Sequence, residues 1–142
     1  MNIIDSVIFN HVIKEQTFEI GQLYFFEHLI LIQINDGMHV SIDTAQDCFK
    51  AIYDFYGTEK PFGYISNRIN EYSIEVLDYP KHNSLFPNLK MYGVIGYSQI
   101  NEMNFNIERQ FCDIPYIEFK NLNDAYTYVN NYVLNKSFTN AS

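Results

Sequence analysis

Residues 25–37 read FFEHLILIQINDG, and the six from Leu29 to Ile34 decide the class of fold. In an extended chain Ile30, Ile32 and Ile34 point one way and Leu29 and Leu31 the other, so a strand here needs apolar cover on both faces. A sheet covered by helices supplies it. The preceding run, Thr17 to Phe26, is also apolar and β-branched or aromatic, and Glu27 with His28 suits a tight turn between the two. Together they predict a hairpin.

Downstream the pattern alternates. Asp43, followed three residues later by Gln46, predicts a capped helix with Ala45, Cys48, Phe49, Ile52 and Tyr56 on its apolar face, ended by Gly57. Phe62 to Ile65 reads as a strand. Pro80 is tolerated only in a first turn, so the next helix cannot begin much before Asp78. LKMYGVIGY, residues 89–97, reads as another strand. Ser98 can cap a helix carrying Ile100, Met103 and Ile107, and Pro115 to Phe119 suits a last, edge strand. Asn121 then caps a terminal helix with Leu122, Ala125, Tyr126, Val129 and Val133 on its apolar face. A hairpin followed by four helices alternating with three strands predicts a single α/β domain, its sheet mixed with a mostly parallel centre. The expected bounds are an N-terminal arm over 1–16, which suits strand or loose helix equally, the domain over 17–134, and a flexible tail over 135–142.

At 142 residues, 47% of them hydrophobic, the chain can bury roughly two thirds of the surface it exposes unfolded. Its net charge of -8 therefore belongs to a folded domain with an acidic surface. The nine Lys and Arg are scattered, which disfavours nucleic acid and anionic membranes as partners. A bilayer span needs about 20 apolar residues, and the best run, Leu23 to Ile34, is broken by Glu27, His28 and Gln33. The opening Met1 to Asp5 lacks the basic and apolar regions of a secretory signal, and Cys48 and Cys112 have neither paired nor metal-type spacing. A soluble cytoplasmic protein with reduced thiols is expected.

Open α/β sheets bind ligands beyond the carboxyl ends of their strands, near a reversal of strand order. If Phe62 to Ile65 is central, then Ser66, Asn67, Arg68, Asn70, Tyr72 and Ser73 emerge at that end, with the loop carrying Ser98, Gln99 and Asn101 beside them. The segment from Ser66 to about Leu77 is long for a connection without structure of its own. Arg68 offers a planar fork for a carboxylate or phosphate, Asn67 and Asn70 donate and accept, and Tyr72 adds a flat face with a hydroxyl. The competing reading pairs Arg68 with Glu71 or a neighbouring acid and gives the asparagines to turns.

Other residues point to packing. Cys48 lies on an apolar helix face, where a small core residue is the usual role. His11, His28, His39 and His82 fall in four separate segments with no metal-type spacing, so neither metal nor cofactor is expected. Gly93 and Gly96 lack the remainder of a phosphate loop and fit close approach of helices to the sheet. The acid pairs Asp43/Asp47 and Glu71/Glu75 read as solvated surface, and Tyr128 lies furthest from the buried face of the last helix. No catalytic residue stands out, and the expectation is a non-enzymatic protein.

KPFGYISNRINEYSIEV (60–76), preceded by FFEHLILIQINDG and followed by FPNLKMYGVIGYS (86–98) and LNDAYTYVNNYV (122–133), resembles the SpoIIAA-like or STAS family, and more narrowly small STAS/SEC14-like proteins of Bacteroidetes. The resemblance spans about Thr17 to Leu134. It implies a SpoIIAA-like sheet and a regulatory domain that binds another protein. In the antagonist branch, a serine at the exit of the central strand is phosphorylated to break that complex, which would put the modification at Ser66 or Ser73. The chain has Ser-Asn-Arg where the antagonists have Asp-Ser and a small residue. The expected contact surface is therefore Ser66, Asn67, Arg68, Asn70, Tyr72, Ser73 and Ser98, for a protein partner. The alternative is an anionic or lipid-like small molecule on the same rim. A covered sheet of this kind also permits a homodimer.

Overall fold

The computed structural model describes residues 1–141, with side chains through Asn135. Six strands form the main sheet in the order β1 (Lys14–Phe18), β2 (Gly21–Phe25), β3 (Leu29–Ile34), β5 (Phe62–Asn67), β7 (Leu89–Ile95), β8 (Tyr116–Phe119). The first three pair antiparallel and the last four run parallel. Two short strands, β4 (His39–Val40) and β6 (Ser73–Ile74), form a separate parallel pair. Four α-helices complete the α/β domain: α1 (Gln46–Tyr56), α2 (Tyr79–Leu85), α3 (Gln99–Arg109) and α4 (Leu122–Ala141).

Both faces of β3 are covered, as its sequence requires. Ile30, Ile32 and Ile34 pack with Cys48 and Ile52 of α1, Tyr79 and Phe86 at α2, and Phe105 of α3. Leu29 and Leu31 pack with Leu122, Ala125, Val129 and Val133 of α4 and with Ile3 and Ile8 of the arm. Three helices thus lie on one face and α4 on the other. Gly63 and Gly93 let α4 approach the sheet, since a Cβ at Gly63 would lie 2.3 Å from Val129 Cγ1 and one at Gly93 3.1 Å from Val129 Cγ2. Gly96 does the same for α3, with Phe105 at 2.7 Å.

The departures from expectation are local. The run from Thr17 to Phe26 is not one strand: it turns at Glu19–Ile20, and β1 reaches back into the arm. The rest of the arm makes two 3₁₀ turns, Ile3–Asp5 and Val7–His11, capped by the side chains of Asn2 and Ser6. Asp43 does not cap α1. Ser41 and Thr44 close the preceding turn, through Ser41 N to Thr44 Oγ1 at 2.8 Å and Thr44 N to Ser41 Oγ at 3.1 Å. Gly57 does end α1, at φ 67°. β7 carries an extra residue against β5, where Phe62 pairs with Leu89 but Tyr64 with Tyr92. That bulge shifts the alternation, so Leu89 and Tyr92 share a face. α4 continues through Ala141, so the segment expected as a tail from residue 135 is helical, and Ser142 lies outside the described residues.

The parallel strands follow one another in chain order, β3, β5, β7, β8, and the strand order does not reverse among them. Each crossover steps the sheet by one strand in the same direction, which keeps α1, α2 and α3 on one side. The crevice expected at a reversal is therefore not formed.

Candidate functional site

β5 runs two residues further than its apolar stretch, to Asn67, and alternation then divides the polar residues between the two faces. Ser66 and Arg68 turn toward α2 and α3. Asn67 turns toward the arm, where its Nδ2 donates to Gln33 Oε1 at 2.7 Å and to the Met1 carbonyl at 2.8 Å, while its Oδ1 accepts from Tyr97 at 2.7 Å. Gln33 completes this network by accepting from Ile3 N at 2.9 Å.

Arg68 is 2% exposed and forks onto Glu108 of α3. Nη1 donates to Oε2 at 2.6 Å and Nη2 donates to Oε1, while Nε donates to Ser66 Oγ at 3.1 Å. Tyr79 and Tyr116 also donate to Glu108 Oε1, at 2.7 and 2.8 Å. The guanidinium lies against the rings of Phe105 and Tyr72, 4.9 and 5.1 Å from their centroids, and Tyr72 bonds Ser66 Oγ at 2.7 Å. One buried pair thus ties together β5, α2, α3, β8 and the segment leading into β6. Burial works against the Arg68 cation, but Tyr72 and the hydrogen bonds and charge of Glu108 hold its pKa well above the ordinary value. Burial, reinforced by the Glu108 charge, keeps the Tyr79 and Tyr116 hydroxyls protonated.

These positions correct the expected polar rim. Ser66, Asn67 and Arg68 are buried, at 1%, 0% and 2% exposure. Asn70 is half-buried and donates to the Ile34 carbonyl at 3.0 Å. Tyr72 is half-buried against Arg68, and Ser98 accepts from Asn101 N as the cap of α3. Ser73 alone of the seven is exposed, its hydroxyl 2.7 Å from His39 Nδ1. The long connection has structure of its own, in β6 and a 3₁₀ turn over Val76–Asp78. Pairing of Arg68 with an acid was the competing reading, but the acid is Glu108 rather than Glu71.

α3 explains why the partner escaped notice. Its sequence offers two faces, Ile100, Met103 and Ile107 or Asn101, Phe105 and Glu108, and hydropathy favours the first. The helix buries the second. Ile100, Met103 and Ile107 are instead 55%, 65% and 50% exposed. At roughly 100° per residue they fall within an arc of about 60°, centred about 140° round the helix from the buried face. The signal that could have found this arrangement is Phe105: placing that ring inward brings Glu108 in one turn later.

The remaining candidates are weaker sites. A slot between α1, α2 and the sheet, lined by Cys48, Phe49, Tyr64, His82 and Tyr92, holds about 40 Å³. That is room for a few waters, whereas ligand pockets run to roughly 300 Å³ and more. A shallow hollow of about 550 Å³ lies beyond the carboxyl ends of β7 and β8, but it sets Asp5 and Asp124 against Lys120 and is not basic. Burial pushes the Cys48 and Cys112 thiols up to about 12, so neither is a ready nucleophile. Burial also takes His82 down to about 4, leaving it a neutral ring with Nδ1 3.2 Å from the Tyr92 hydroxyl. Among the described residues no group of three His, Cys, Asp or Glu side chains is placed to hold a metal ion, and no helix is long and apolar enough to cross a membrane. No family model, curated protein or solved structure matches the chain.

Proposed function

We propose that this chain is a non-catalytic, protein-binding regulatory module of STAS-like type, and that its contact face is the outward side of α3 rather than the loop after Phe62 to Ile65. The observation that carries this reading is the exposed row Ile100, Met103, Ile107 on a helix whose inner side holds the charged Glu108. A surface helix that turned this row inward would remove apolar side chains from water, at about 25 cal/mol per Å² of area covered. A partner protein that covers the row recovers that free energy, and the largest contiguous apolar patch on a monomer is often functional. The side chains beside the row are amides: Gln99, Asn106 and Gln110 on one flank, Asn104 on the other. An apolar centre with a polar, uncharged margin is the composition of a protein interface. Cytoplasmic residence suits the two unpaired thiols, Cys48 and Cys112.

Arg68 enters this reading as the support of α3, because its pair with Glu108 fixes which side of the helix faces out. An anionic ligand has less to work with, since the guanidinium is already matched by a carboxylate. Of the serines considered for phosphorylation, Ser73 is the one a kinase could reach.

The test is affinity capture with the immobilised chain, its Met103→Glu variant and a control, Tyr53→Glu, at an exposed tyrosine of α1. The same captured protein on wild type and control, lost on Met103→Glu, is the expected result. Equal capture by all three would place the contact elsewhere.

A further inference from the structure

Resting on that reading of α3, we infer that the protein covering the row is a second copy of this chain, paired antiparallel about a two-fold axis close to Met103. Charge is the first reason. The molecule carries a net charge of -8, so two copies repel over most of their surface. The acidic residues of α3 lie away from the row: Glu102 sits about 130° round the helix from its centre and Glu108 is buried, while the one cation, Arg109, about 150° round, reaches only the margin, where Nη1 donates to Asn106 Oδ1 at 3.2 Å. The row and its margin are thus a face through which a like-charged copy can approach.

Self-complementarity is the second reason. A two-fold interface sets the same patch against itself, so that if one residue meets another, the reverse contact is made as well. Met103 lies near the midpoint of Ile100 and Ile107, and an antiparallel crossing there sets Ile100 against the copy's Ile107 while Met103 meets its own equivalent. The flanking amides each donate and accept, so amide against amide is satisfied in either direction. A margin of one charge sign would not be.

Area sets the strength. Three side chains at 50–65% exposure offer on the order of 400 Å² of apolar surface, the size of the largest patch on a typical monomer. With its amide margin the contact falls at the small end of specific interfaces, below about 1,200 Å² in total, where association is weak and concentration-dependent.

Sedimentation of the full chain from about 5 to about 500 µM tests this, that being the range in which such an interface dissociates. The expected result is a mass rising from 16.8 kDa toward twice that value, with added salt strengthening association by screening the like charges. Met103→Glu stays monomeric at every concentration, and Tyr53→Glu behaves as wild type. Met103→Cys, with Cys48 buried and Cys112 half-buried, forms a disulfide-linked dimer under mild oxidation. A chain that stays monomeric throughout, or a dimer indifferent to Met103→Glu, overturns the proposal. If the chain is monomeric while a different captured protein is lost on Met103→Glu, only the identity of the occupant fails and α3 remains the contact face.

Discussion

Arg68 and Glu108 form a pair that stands or falls together. Each is almost fully buried, so removing one leaves the other's charge without a partner, a change that costs about 3–5 kcal/mol in buried pairs. That cost follows from the same contacts that remove Arg68 from the surface: three N–H donors are spent on one carboxylate and one serine, and the guanidinium lies against two rings. His82 makes the residue-scale prediction. Burial holds its folded value near 4, below the ordinary 6.5, with Asp78 pulling the other way. The unfolded chain therefore takes up the proton first, and the stability due to neutral His82 is complete above about 6.5 and lost as the pH falls toward 4. At about 1.36 kcal/mol per pH unit the loss is at most about 3 kcal/mol, and less for a ring that is partly exposed. Between about pH 7 and about pH 5 the urea midpoint of wild type should fall further than that of His82→Gln. Equal falls would mean that His82 does not titrate differently in the two states.

Among the elements, packing of α4 on the sheet depends on glycine. A methyl group at position 63 would meet Val129 at 2.3 Å and Val133 at 3.3 Å, so Gly63→Ala should cost about 1–3 kcal/mol in thermal or urea unfolding. Val129→Ala opens that space, and the double variant should lose less than the sum of the two single changes. Strict additivity would show that α4 does not press on β5 there. From β3 onward the order of the helices and main strands was legible in the sequence, because β3, α1 and α4 each have one pattern with one solution; β1 and the short β4 and β6 were not. The caps at Ser98 and Asn121 were legible for the same reason. α3 was not, since Ile100, Met103 and Ile107 outweigh Asn101, Phe105 and Glu108 in hydropathy, and it takes partners distant in sequence, Arg68 with Tyr79 and Tyr116, to make the polar face the better one to bury. The end of β5 was misplaced because Ser66 and Asn67 are polar. Their partners, Tyr72 and Gln33, become visible only once the sheet is assembled. Asp43 failed as a cap because Ser41 and Thr44, equally good at closing a turn, stand on either side of it.

At the scale of the whole molecule, a sheet whose parallel strands advance in chain order has no crevice at its carboxyl edge, and the arm closes part of that edge through Asn67 and Tyr97. Polar sequence at the exit of β5 accordingly became interior, which moves the proposed contact surface to the outward face of α3. That transfer is the centre of the account, and it turns on whether the Arg68 guanidinium is sealed from water. Its Nε–H, observed in a proton–nitrogen correlation spectrum near neutral pH, measures this directly. The account predicts a resolved signal that exchanges slowly with water and does not move when inorganic phosphate or acetate is added. A signal lost to rapid exchange, or shifted by phosphate, would place the guanidinium on the surface and contradict it.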